Sequence, residues 1–175
     1  MKSTEVYKEI NKTIFPKLKS YGFKKTKSGM LGFYKKIKDY NLVIWFQCSQ
    51  EGFDPYAGSK FIVEIQLGQS NEIGTSFDRN RIPHFLTRSE LDNIVKIENE
   101  IKNRLQKPPQ NHFIFSLEDS IQRWYMRKFE KEDKIYSNIS DIWFIYYDSN
   151  DIQKWMEIIE PVFDRIVSKF ENVDN

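Results

Sequence analysis

The spacing of apolar positions along this chain switches from four to two and back again. Between residues 4 and 20, Val6, Ile10, Ile14 and Leu18 recur at fours, which places them on one face of an α-helix. Pro16 has no amide to give to a helix interior, which predicts a kink or break near Lys12 to Phe15. Gly22 stands where the end of a helix favours a left-handed residue.

Strand patterns follow. Residues 23–27 and 30–38 read as a hairpin turning at Ser28-Gly29. Across 41–49, Leu42, Ile44, Phe46 and Cys48 alternate with Val43, Trp45, Gln47 and Ser49; across 60–68, Phe61, Val63, Ile65 and Leu67 alternate with Ile62, Glu64, Gln66 and Gly68. Period-two alternation of this kind predicts an antiparallel sheet with one packed face and one at least partly open. Residues 69–86 lack a period, hold Gly74 and Pro83, and read as a loop.

Helical spacing then returns. Thr87-Arg88-Ser89-Glu90 is a capping box opening a helix over about 88–106, built on Leu91, Ile94, Val95, Ile101 and Leu105 and closed by Pro108-Pro109. Ser116 is expected to cap a third helix through about 131, with Leu117, Ile121, Trp124, Tyr125 and Phe129 inward. Residues 141–147 are apolar at both parities, which predicts a central or covered strand. A final helix is expected to start at Asn150 with Gln153, presenting Ile152, Trp155, Met156, Ile159, Phe163, Ile166, Val167 and Phe170 as one stripe with Pro161 off it.

Composition narrows the class. At 175 residues the chain is expected to form one domain over 1–175 that buries its own core, and aromatic residues at 15% supply much of the burial. One cysteine, Cys48, excludes an intrachain disulfide and a cysteine-based zinc site, and its place among Leu42, Ile44 and Phe46 predicts an inert, core-facing thiol. With no secretory leader and no long apolar run, a cytoplasmic protein without a membrane partner is expected. Net charge is only +2, yet residues 1–50 hold eleven lysines against Glu5, Glu9 and Asp39, while residues 130–175 hold eleven acids against five basic residues. That asymmetry is expected to be neutralised across the fold; its other reading is an anionic partner for the basic end.

The helix ending in Gly22-Phe23-Lys24-Lys25, then Phe33-Tyr34, Phe46-Gln47 with Ser49, and Leu67-Gly68, together resemble the bacterial domain-of-unknown-function family 4304 over about residues 5–110. The resemblance implies an uncharacterised bacterial α+β protein and brings no catalytic residues with it.

Several chemistries find no footing in the residues. His84 and His112 lie 28 positions apart without partners at metal-ligand spacing, and no phosphate-cradling glycine loop is present. Asp54 followed ten positions later by Glu64-Ile65-Gln66 is similar to the magnesium-binding end of restriction-type nucleases, but those enzymes usually place a lysine where Gln66 stands. Lys24, Lys25, Lys27, Lys35, Lys36 and Lys38 beside Phe23, Phe33 and Tyr34 admit nucleic-acid binding, although alternation turns the phenylalanines inward. The Trp124-Tyr125 pair and the stripe through Trp155, Met156, Ile159 and Phe163 read as core, with a dimer seam as their functional reading.

The best candidate is the second sheet face. Tyr34, Lys36, Trp45, Gln47, Ser49, Glu64 and Gln66 should project together if their strands are neighbours, a mixture of rings, amides and charge suited to recognition. If a helix covers that face instead, Trp45 is core. The chain thus reads as an α+β domain: a four- to five-stranded, mainly antiparallel sheet, helices on at least one face, the N-terminal helix first and a long C-terminal helix last. Its expected role is a non-enzymatic binding module, of immunity or regulatory type, for another protein. No cofactor, metal ligand or catalytic residue is assigned, and nucleic acid is the lesser partner. The alternative is a metal-dependent phosphodiesterase acting on nucleic acid through Asp54 and Glu64.

Overall fold

The structure is a computed structural model that describes residues 1–76, 78–131 and 138–172. Helix α1 (Ser3–Ser20) buries Val6, Ile10, Ile14 and Leu18, the four positions its period selects. Full burial of each aliphatic side chain is worth about 1.5–3 kcal/mol, enough to fix the helix on the sheet. The expected break does not occur: α1 runs through Pro16 as one element. Packing on the sheet and on the last helix offsets the lost hydrogen bond. Gly22, at φ +84°, ends the helix as anticipated.

Strands β1 (Lys24–Lys25), β2 (Leu31–Ile37), β3 (Tyr40–Cys48) and β4 (Ser59–Gly68) form an antiparallel meander. Two further strands share the outer edge of β4. Strand β5 (Asp78–Arg81) pairs with its second half, and β6 (Phe144–Tyr146) with its first three residues. Strand β5 and the 3₁₀ turn after it, Ile82–Phe85, lie in the stretch expected to be a loop. Its sequence, Asp-Arg-Asn-Arg, has no apolar alternation because it is an edge strand. Strand β6 is shorter than the expected 141–147 and sits beside β4's edge, not in the sheet's centre; both of its faces are nonetheless covered.

Helix α2 (Arg88–Arg104) opens with the predicted capping box, Thr87 Oγ1 accepting from the Glu90 amide and Glu90 accepting from the Thr87 amide. The third helix, α3 (Asp119–Met126), is half the expected length and is bracketed by 3₁₀ turns at Phe113–Ser116 and Arg127–Phe129. Helix α4 (Ser149–Glu171) begins slightly earlier than expected, capped by Asp148, and carries the predicted apolar stripe. Trp155 Nε1 donates to the Ile145 carbonyl at 2.6 Å, locking α4 to β6.

One apolar cluster joins α1, α2 and α4 to Phe33, Leu42, Ile44, Phe46, Phe61, Val63 and Ile65 on the first sheet face. A smaller cluster gathers Ile114, Tyr125 and Phe129 with Tyr56 and Leu105. The charge asymmetry is partly resolved within the fold: Lys17 pairs with Asp164 at 2.9 Å, and Lys35 with Glu171. Among the described residues, no helix is long and apolar enough to cross a membrane.

Candidate functional site

In antiparallel pairs, residues in direct register share a face. Gly32, Trp45, Glu64 and Arg81 therefore form one row across β2 to β5, and Tyr34, Val43, Gln66 and Arg79 the next. Lys36 lies opposite Asn41, and Gln47 opposite Ile62, on the same face. The expected grouping of Tyr34, Lys36, Trp45, Gln47, Glu64 and Gln66 is thus present, and Ser49 follows just beyond the end of β3.

The face is not open, however, and its expected role as an exposed recognition surface is corrected. Trp45 is 1% exposed, Glu64 2% and Gln66 1%. Among the described residues no helix covers them; the closure is made by residues 69–76 and strand β5, within the stretch 69–86 that lacks a sequence period. Gln66 Nε2 donates to the Glu72 carbonyl at 2.7 Å, and its Oε1 accepts from the Gly74 amide at 2.8 Å, which staples the loop over the sheet. Ile73 fills the space above Gly32, where a Cβ would meet its Cδ1 at 2.7 Å. Arg79 lies over the Trp45 ring at 5.7 Å. Lys36 alone of the seven candidates is exposed; Tyr34, Gln47 and Ser49 are half-buried.

Glu64 and Asp54 spend their oxygens within the protein. Glu64 Oε2 takes Arg79 Nε at 3.0 Å and Oε1 takes Arg81 Nε at 3.2 Å. Asp54 Oδ1 accepts from the amides of Tyr56 and Ala57 at 2.8 and 2.7 Å, forming a tight turn. Both of its oxygens also accept from the Tyr125 hydroxyl. Among the described residues no group of three or more His, Cys, Asp or Glu side chains converges as a metal-ligand set would.

Cys48 is not poised as a nucleophile. Burial pushes its thiol above the usual range, against the hydrogen bonds of Tyr7 and Tyr146. Burial likewise pushes the hydroxyls of Tyr7 and Tyr146 up to about 12.

Exposed apolar surface lies elsewhere, on α3 and the turn before it. Leu117, Ile121 and Trp124, expected inward, face solvent at 38, 40 and 48% exposure, and Phe113 in the turn before α3 reaches 66%. Ile121 and Trp124, three positions apart on α3, form a ridge on one helix face, and Leu117 precedes them in extended backbone. Tyr125, the next position, turns inward and donates to Asp54, so the inner face of α3 is set by Tyr125 and Phe129. Phe53 and Tyr147 add partly exposed rings, 5.7 Å apart, on and against the loop that Asp54 ties to α3. Of the seven large apolar side chains most exposed among the described residues, only Tyr40 lies apart from α3 and this loop.

Charge frames the ridge on one side. Arg123 and Arg127 precede Trp124 and Lys128 on the helix and its following turn, are exposed, and pair with no acid among the described residues. Lys128 lies over the Trp124 ring at 4.2 Å and reaches Glu51 at 2.8 Å. Sequence reading missed this surface because 117, 121 and 124 define one helical stripe and 121, 125 and 129 another. It also missed the pair Arg79 and Arg81, whose i, i+2 spacing was the available signal that they share a strand face.

Comparison with known proteins found no match to any family model, curated protein or solved structure.

Proposed function

We propose that this chain is a non-enzymatic binding module that docks an acidic protein partner on the α3 ridge. The observation that carries the reading is the concentration of Phe113, Leu117, Ile121 and Trp124 on one short segment of a chain that buries its other apolar residues well. Exposed apolar patches of contiguous aromatic and aliphatic side chains mark interaction surfaces on folded domains. Trp and Phe are favoured as anchors because they bury a large area at little cost in side-chain entropy.

The partner's chemistry follows from the rim. A helix ridge with Ile121 and Trp124 as anchors at i and i+3 suits an apolar groove. Arg123 and Arg127 beside it call for carboxylates on the groove's edge. Such charges steer association and set specificity more than they add affinity. The Asp54–Tyr125 hydrogen bonds hold the helix in place beforehand, which reduces the ordering cost of binding. The resemblance to family 4304 is compatible with this reading and adds no activity to it.

The test is affinity capture with the wild-type chain beside Ile121→Asp and Trp124→Ala, each checked for native circular dichroism. The expected result is one stoichiometric partner of acidic composition, bound by wild type, weakened by salt and lost on Ile121→Asp. A partner held equally by all three proteins, or one that is basic, would overturn the reading.

A further inference from the structure

A second site lies on the sheet's closed face, at the outer end of the Glu64 row. There Glu64, Arg79, Asn80, Arg81, His84 and Ser140 line a cleft of about 400 Å³. From its geometry we infer that this cleft binds the phosphate group of a small phosphorylated ligand.

The argument starts from a buried carboxylate. The Glu64 side chain is 3% exposed, and an ionised carboxylate at such a position needs paired donors. It has two: Arg81 donates Nε to Oε1, and the Arg79 guanidinium pairs with Oε2 at 3.0 Å. One negative charge therefore organises two positive ones, and the cleft keeps a positive excess. The guanidinium planes are held from a second direction as well. Arg79 lies over the Trp45 ring and Arg81 over the Trp143 ring, both at 5.7 Å.

Because Nε is used inward, the terminal nitrogens remain for another acceptor. Arg81 Nη1 donates to the Ser140 carbonyl. Arg81 Nη2 and both terminal nitrogens of Arg79 find no acceptor among the described residues, and Arg79 is 46% exposed. His84 Nε2 sits 2.8 Å from Ser140 Oγ, so the imidazole is oriented and its other nitrogen stays available. The lining thus offers N–H donors from two arginines, with the His84 imidazole and the Ser140 hydroxyl beside them, while its one carboxylate is already paired with both arginines.

An arginine fork with a fixed plane suits an oxyanion, and the Arg79 terminal pair with the remaining Arg81 N–H beside it suits a phosphate better than a carboxylate, which has fewer oxygens to share. The volume exceeds that of inorganic phosphate, leaving room for the group that carries it. The residues belong to β4, β5 and the 3₁₀ turns at Ile82–Phe85 and Ile139–Asp141, so the site is built on the fold and independent of the α3 ridge.

The test is a titration of the full chain with inorganic phosphate and with phenyl phosphate, followed by the NMR signals of the arginine Nε–H and tryptophan indole N–H groups. Chloride at matched ionic strength is the control. Wild type is expected to show saturable shifts at Arg79, Arg81 and Trp143, with phenyl phosphate binding more tightly than phosphate. Arg79→Gln should weaken binding at least tenfold, and Arg79→Lys, which keeps the charge without the fork, by nearly as much. Shifts that follow ionic strength alone, or wild-type affinity in both Arg79 variants, would overturn the assignment. Ile121→Asp should bind phosphate as wild type does, which separates this inference from the fate of the ridge.

Discussion

The Tyr125 hydroxyl donates to both oxygens of Asp54, at 3.0 and 3.1 Å, across 71 positions of sequence. This contact fixes which side of α3 faces the protein. It ties the helix to the turn at Asp54–Gly58, and Gly58 in turn abuts β6 so closely that a Cβ would overlap the Tyr146 carbonyl. A carboxylate weighed as a metal ligand from the sequence is thus the anchor of the proposed docking helix.

Tyr125→Phe should lower stability by about 1.5–3 kcal/mol, the range for a hydrogen bond to a charged acceptor. Burial comes first, then the Asp54 bond, among the causes that push this hydroxyl far above its ordinary range. Denaturant unfolding measures the loss, and amide exchange should show α3 protection falling more than that of β3 and β4. Unchanged stability would mean that α3 is held by packing alone.

Glu64→Gln should destabilise the fold by about 2 kcal/mol, since it removes the charge that pairs with two arginines and turns one of the two oxygens facing them into a donor, while keeping the side chain's shape. The loss should be accompanied by altered Trp45 and Trp143 fluorescence as Arg79 and Arg81 lose their common anchor. Thermal unfolding with fluorescence detection checks both.

Acid should weaken the start of α4. Burial pushes the Asp148 carboxyl up, but the Asp151 amide and the Arg104 guanidinium outweigh it and hold the carboxyl below its usual range. A depressed folded-state value means stabilisation that is present above the unfolded value, about pH 3.9, and is lost as pH falls through the folded one. Asp148→Asn, which keeps a capping side chain, should cost about 0.5 kcal/mol at pH 7 because the Arg104 pair is exposed. The gap from wild type should close as the pH falls well below 3.9. A gap that persists at low pH would assign the effect to the cap instead of the charge.

The Cys48 thiol should be slow to react in the native state. Its raised value lowers the thiolate fraction near pH 8, and it lies half-buried beside Tyr7 and Tyr146. Iodoacetamide labelling at pH 8 is expected to run about tenfold slower in native protein than in protein unfolded by urea. Equal rates would mean an open, ordinary thiol.

Much of the fold was legible because β2, β3 and β4 alternate cleanly and α1 and α4 each carry one unambiguous stripe. The shared face of Trp45, Glu64 and Gln66 followed from parity alone. Its closure did not, because Gln66 closes it by hydrogen bonds to the backbone at Glu72 and Gly74, and backbone partners leave no mark on a sequence. Strand β5 was invisible for a related reason: its stability comes from pairing with β4, while its four side chains are all polar. Helix α3 failed differently. Ile121 belongs to two overlapping stripes, and only the distant Asp54 decides that Tyr125 goes in and Trp124 stays out. Pro16 misled because packing outweighed a single lost hydrogen bond.

The most direct measurement of the central claim is calorimetric titration of the captured partner into wild type, Trp124→Ala and Arg123→Glu at low and physiological salt. The ridge predicts at least a tenfold loss of affinity for Trp124→Ala, since a partly exposed tryptophan is a typical interface anchor. It also predicts a loss for Arg123→Glu that is largest at low salt. Affinities unchanged in both variants at both salt concentrations would contradict the account and place the binding surface elsewhere.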